Sequence, residues 1–84
     1  MIKVKKFSAD WCGPCKMLAP VMENIKTKFS NVSFEDVDVD VQYEMAASYS
    51  IKSVPTVIIE KDGLVVERFT GLQSEMTYIN ALNE

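Results

Sequence analysis

The 84-residue chain carries nine basic and twelve acidic side chains, a formal charge of −3 and 48% hydrophobic residues. That length supports one domain, residues 1–84, and the dispersed charge offers no basic stripe to neutralise phosphates, so nucleic acid is not an expected partner. No apolar stretch approaches the roughly 20 residues that cross a bilayer, and the lack of histidine excludes imidazole acid–base chemistry and imidazole metal sites.

Lys3, Lys5 and Lys6 are followed by no apolar run of the kind a secretory signal needs, so a cytoplasmic location is expected; the chain is also expected to be a monomer without a membrane partner. The opening "MIKVKKF" alternates Ile2 and Val4 with Lys3 and Lys5, then breaks at "SADWCGP", which predicts a strand and a loop. From Pro14, apolar residues recur at Met17, Leu18, Val21, Met22, Ile25 and Phe29, near the roughly 3.6-residue period of a helix. Gly13 and Pro14 suit its start, and Pro20 is expected to kink it without ending it. "NVSFEDVDV" predicts a strand whose apolar phase changes near Asp36, and "YEMAASYS" a short helix. "TVIIE" and "LVVERF", joined by a turn at "KDG", predict a hairpin. "SEMTYINAL" closes the chain as a helix, with Ser74 as N-cap and Met76, Ile79 and Leu82 facing inward. The order β-α-β-α-β-β-α, with a right-handed crossover between the first two strands, predicts an α/β fold: a four-stranded mixed sheet flanked by helices.

Both cysteines, Cys12 and Cys15, lie in "DWCGPC". Such a pair can staple a fold, clamp a metal or pass electrons. A staple this short constrains the unfolded chain little. A metal clamp supplies two thiolates, and the rest of a tetrahedral site would have to come from carboxylates or a second subunit. The position after a strand and before a helix favours electron transfer. There the helix dipole and unpaired amides stabilise negative charge, so Cys12 is expected to ionise below the free-thiol value of about 8.5 and to be the exposed attacker. Cys15, a turn further in, is expected to be shielded. Cys12 attacks a client disulfide and Cys15 then displaces the reduced client, a cycle that requires no cofactor in this protein.

"WCGPCK" followed by "SVPT" resembles the thioredoxin family, whose cis-proline would be Pro55. The resemblance spans nearly the whole chain and suggests a minimal bacterial or viral thioredoxin-like protein lacking the N-terminal strand and helix. It implies a client-contact surface of Trp11, Gly13, Pro14, Val54, Pro55 and Gly71, with Val54 offering backbone hydrogen bonds to an extended segment. Gly71 is read either as opening that groove or as meeting a positive φ. Implied partners are a flavoprotein thioredoxin reductase using NADPH and client disulfide proteins such as ribonucleotide reductase. A glutaredoxin-like enzyme using glutathione is the alternative, and a binding module with incidental cysteines is a third reading.

The sequence also departs from the family. Thioredoxins place a buried aspartate six residues before the first cysteine and a lysine on the neighbouring strand. Here those positions are Lys6 and Asp36, the charges exchanged. Asp36 is therefore expected to take the proton from Cys15, with Lys6 holding it ionised; an ordinary cross-strand ion pair is the plainer alternative. Ser8 stands where many members have a tryptophan, so the family's reduction potential does not transfer.

Overall fold

In the computed structural model, which describes residues 1–84, the chain runs β1 (Ile2–Ser8), α1 (Gly13–Lys28), β2 (Val32–Asp38), α2 (Tyr43–Ser48), β3 (Thr56–Lys61), β4 (Leu64–Thr70) and α3 (Glu75–Leu82). This is the expected α/β order. The strands form one sheet in the order β2-β1-β3-β4, with β1 and β2 parallel and the other pairs antiparallel. Asp62 (φ 53°) and Gly63 (φ 86°) make the β3–β4 turn, both in the left-handed region that a tight hairpin demands.

The expectation of a minimal form without an N-terminal strand and helix is corrected. The chain opens on a strand and a helix, β1 and α1, and both are built into the core: Val4 and Phe7 of β1 and Leu18 and Ile25 of α1 are almost wholly buried. This N-terminal strand and helix are the pair that flanks the cysteines.

Strand alternation sends Val4, Val32, Val57 and Ile59 to one face, where they pack with Leu18, Met22 and Ile25 of α1 and Tyr78 and Leu82 of α3. Phe7, Val37 and Ile58 go to the other face, against Ala46 of α2. The phase change expected in β2 is real but is no irregularity, since its register with β1 runs unbroken from Ile2↔Val32 to Ser8↔Asp38. What changes is which face is apolar: Val32 and Phe34 lie toward α1, and Val37 lies under α2.

Helix α1 continues through Pro20 to Lys28. In α3 Ile79 and Leu82 face the core as expected, but Met76 is 57% exposed and Tyr78 is buried instead. Tyr78 meets Phe69 edge to face at 5.3 Å, and its hydroxyl accepts from the Gln73 amide at 3.1 Å, which satisfies both ends of an amphipathic ring.

The α2 side of the sheet also holds a charge cluster that the sequence reading did not foresee. Lys5 Nζ lies 3.1 Å from Glu60 Oε1 and 3.5 Å from Glu35 Oε1, and the Tyr49 hydroxyl donates to Glu60 Oε2. The Tyr49 bond, with help from Lys5, holds the Glu60 carboxyl below the usual carboxylate range against the pull of burial. Burial depresses Lys5, but its bonds to Glu60 and Tyr49 outweigh that and leave it above the ordinary lysine value. The bond to Glu60, with burial, pushes the Tyr49 phenol up.

Candidate active site

The cysteines sit where β1 gives way to α1. Cys12 is the N-cap, in extended backbone (φ −89°, ψ 112°), with Pro14 in the first turn. The Cys15 amide N–H donates to Cys12 Sγ at 3.2 Å, so a sulfur takes the place of the usual capping oxygen at a helix end rich in unpaired donors. No acidic side chain lies in that turn to oppose negative charge on the sulfur. The two sulfurs are joined in a disulfide with Cα atoms 5.3 Å apart.

Cys12 was expected to be the exposed partner, but both cysteines are only 4% exposed in this bridged state. The sulfurs cover one another, and Ala9, Val39 and Val54 close around them. The asymmetry between the two therefore lies in hydrogen bonding rather than in exposure. A cavity of about 180 Å³ borders Cys15, lined by Ser8, Ala9, Asp10, Lys16 and Ala19.

The expected client-contact residues converge beside this bridge. Val54–Pro55 is a cis peptide, Val54 touches the cysteine cluster, and Pro55 is buried. Gly71 donates its amide to the Pro55 carbonyl at 2.8 Å with φ 84°. A Cβ built at Gly71 meets nothing within 4 Å, so backbone conformation requires the glycine and the space beside it is open. Gly13 likewise faces open space. Trp11, Val39, Ile51, Lys52, Ser53 and Val54 line a groove of about 150 Å³.

Trp11 is 70% exposed, and Asp40 holds it there by accepting from the indole N–H at 2.8 Å. Asp40 is a site residue the sequence reading missed. Its signal was the "DVD" at the end of β2, where the Asp38 carboxylate accepts from the Asp40 amide at 2.9 Å and turns the chain back toward Trp11.

Lys6 and Asp36 are brought together as strand partners, Nζ to Oδ1 3.5 Å. They line a cavity of about 190 Å³ between β1, β2 and α1, and Ala19 borders both this cavity and the one beside Cys15. Neither charge belongs to the cluster that encloses the sulfurs. No group of three or more His, Cys, Asp or Glu side chains is arranged to hold a metal ion.

Comparison with known proteins agrees with this geometry. Residues 2–84 match the family described as Thioredoxin. The thioredoxin of Chlamydia trachomatis serovar D is 42% identical over 78 residues, covering 93% of this chain and 76% of its own. That of Equus caballus is 44% identical over 72 residues, covering 86% and 69%. The X-ray structure of Fasciola hepatica thioredoxin superposes with a TM-score of 0.90 at 39% identity, over 98% of this chain and 78% of that one.

Proposed function

Because the chain belongs to the thioredoxin family it is a protein disulfide oxidoreductase, and we propose that it works in the reducing direction, with Cys12 attacking and Cys15 resolving. The Cys12 thiolate bonds to one sulfur of a client disulfide; the client S–S bond breaks and its second sulfur leaves as thiolate. Deprotonated Cys15 then attacks Cys12 Sγ. The Cys12–Cys15 bond forms, the mixed disulfide breaks, and the client departs as a dithiol with two electrons and two protons.

The observation that carries these roles is the Cys15 amide donating to Cys12 Sγ at 3.2 Å. When the bridge is open, the same N–H faces a thiolate at the positive end of a helix, which favours the charged sulfur over the thiol. Asp36 serves as the proton acceptor for Cys15, by way of water, with Lys6 paired to its carboxylate. The ion pair and the position of Ala19 between the two cavities support this route.

Electrons return from a flavoprotein thioredoxin reductase using NADPH, and the clients are disulfide proteins of a reducing compartment, the cytoplasm, with ribonucleotide reductase among them. Insulin reduction tests the reading. Turnover supported by thioredoxin reductase with NADPH is expected; turnover supported only by glutathione with its reductase would assign the protein a glutathione-dependent role instead.

A further inference from the structure

We propose that Tyr49, Glu60 and Lys5 form a positioning device for the client-binding loop, anchoring the point where residues 50–55 leave α2 and so setting where Val54 meets a client. The proposal rests on the reduction of client disulfides described above.

An ion pair among apolar side chains is a poor choice for stability alone. Desolvating two charges costs several kcal/mol, and apolar residues of similar volume hold strands together at least as well. Glu60 and Lys5 are both below 10% exposed, yet they are retained at the heart of the sheet. Lys5 takes one carboxylate oxygen of Glu60, and the other accepts from the Tyr49 hydroxyl. The cluster therefore reaches out of the sheet to one residue, the C-cap of α2.

Tyr49 is gripped at three further points. Its ring meets Phe7 at 5.4 Å, Lys5 Nζ lies 5.5 Å from the ring centre, and Arg68 of β4 donates to its carbonyl oxygen. The next residue, Ser50, turns the chain with φ 56°, and the Ile51 amide bonds back to the Ala46 carbonyl at 2.9 Å. Lys52, Ser53 and Val54 then run along the Trp11 groove. At its far end the loop is tied by Thr56 Oγ1 to the Ser53 carbonyl and by the Gly71 amide to the Pro55 carbonyl, both at 2.8 Å. At the near end Ile51 packs on the apolar face of Phe7, Val37 and Ile58, and the polar ties to the strands all run through Tyr49. A small displacement there moves Val54 relative to the sulfurs, and misplacement of about 1 Å can cost about 100-fold in a reaction that depends on alignment.

The test compares two disulfides. Insulin must lay an extended segment along the loop, whereas cystine is too short to do so. Second-order rates of the reduced protein with each are measured for the parent, Tyr49→Phe and Arg68→Met, with Glu60→Gln as the conservative variant that keeps an acceptor for the Tyr49 hydroxyl. Tyr49→Phe and Arg68→Met are expected to lower the insulin rate about tenfold while leaving the cystine rate unchanged, and Glu60→Gln to keep most of the parent insulin rate. Loss of stability alone would leave the ratio of the two rates at the parent value in folded protein. An unchanged ratio in Tyr49→Phe, or in Arg68→Met should the first variant not fold, overturns the proposal. A parent protein that fails to reduce insulin at all would instead overturn the reading on which it rests.

Discussion

Lys6 and Asp36 face each other across the parallel strands β1 and β2, Nζ to Oδ1 3.5 Å, but their surroundings are unequal. The Lys6 side chain is 12% exposed, tucked under α1, and that of Asp36 is 72% exposed at the sheet edge. The pair thus joins an interior cation to a solvated carboxylate.

An ion pair with one partner so open contributes little to stability, so Asp36→Asn is expected to shift the unfolding free energy by less than about 1 kcal/mol. Its effect belongs in kinetics. Resolution of a Cys12 mixed disulfide should slow, while the first attack by Cys12 keeps its parent rate. Rapid-mixing measurement of the two steps checks this, and equal resolution rates in variant and parent would remove Asp36 from the proton path.

Glu60 carries a different expectation because it is buried. Glu60→Ala leaves Lys5 with Glu35 alone and the Tyr49 hydroxyl without an acceptor, and should cost about 3 kcal/mol, the lower end of what breaking a buried pair costs. Replacing Lys5 and Glu60 together by methionine should recover most of that loss. Urea unfolding of the single and double variants gives both numbers.

The same cluster sets a pH window. The Glu60 pKa is lowered on folding from 4.5, so its contribution is present above that value and is lost as pH falls through the folded value. The Lys5 and Tyr49 pKa values are raised from 10.5 and 10.0, so their contributions are complete below those values and are lost as pH rises through the folded ones. Parent stability measured against pH should show a plateau between these limits, and Glu60→Gln should flatten the acid flank.

Gly71 and Gly13 predict opposite outcomes although neither is crowded. Gly71→Ala forces a Cβ into φ 84° and should cost about 1 to 2 kcal/mol. Gly13→Ala adds a methyl group to the first turn of α1 with open space around it and should be neutral or stabilising by up to about 1 kcal/mol. Thermal unfolding of the two variants side by side separates backbone strain from packing.

The architecture was legible in the sequence because its signals are local: alternation in "MIKV", a helical period after Pro14, and a turn at "KDG". The strand-to-helix placement of the cysteines was legible for the same reason. In α3 the inward positions Ile79 and Leu82 were legible but Tyr78 was not, because it is amphipathic; its burial depends on Phe69 and the Gln73 amide, neither visible in a hydrophobic period. The Lys5–Glu60–Tyr49 cluster joins residues 55 and 11 positions apart in pairs, and only the pairing of β1 with β3 and the packing of the end of α2 over them bring the three together. The shielding of Cys12 likewise depends on Val39 and Val54, which arrive from two other segments.

The account turns on the sulfur that caps α1. Alkylation of the fully reduced protein, followed against pH with the modified cysteine identified by mass, tests it most directly. Cys12 should be the residue modified, with a midpoint at least about one unit below the free-thiol value of about 8.5. A midpoint at or above that value, or preferential modification of Cys15, would contradict the assignment of attacking and resolving thiols.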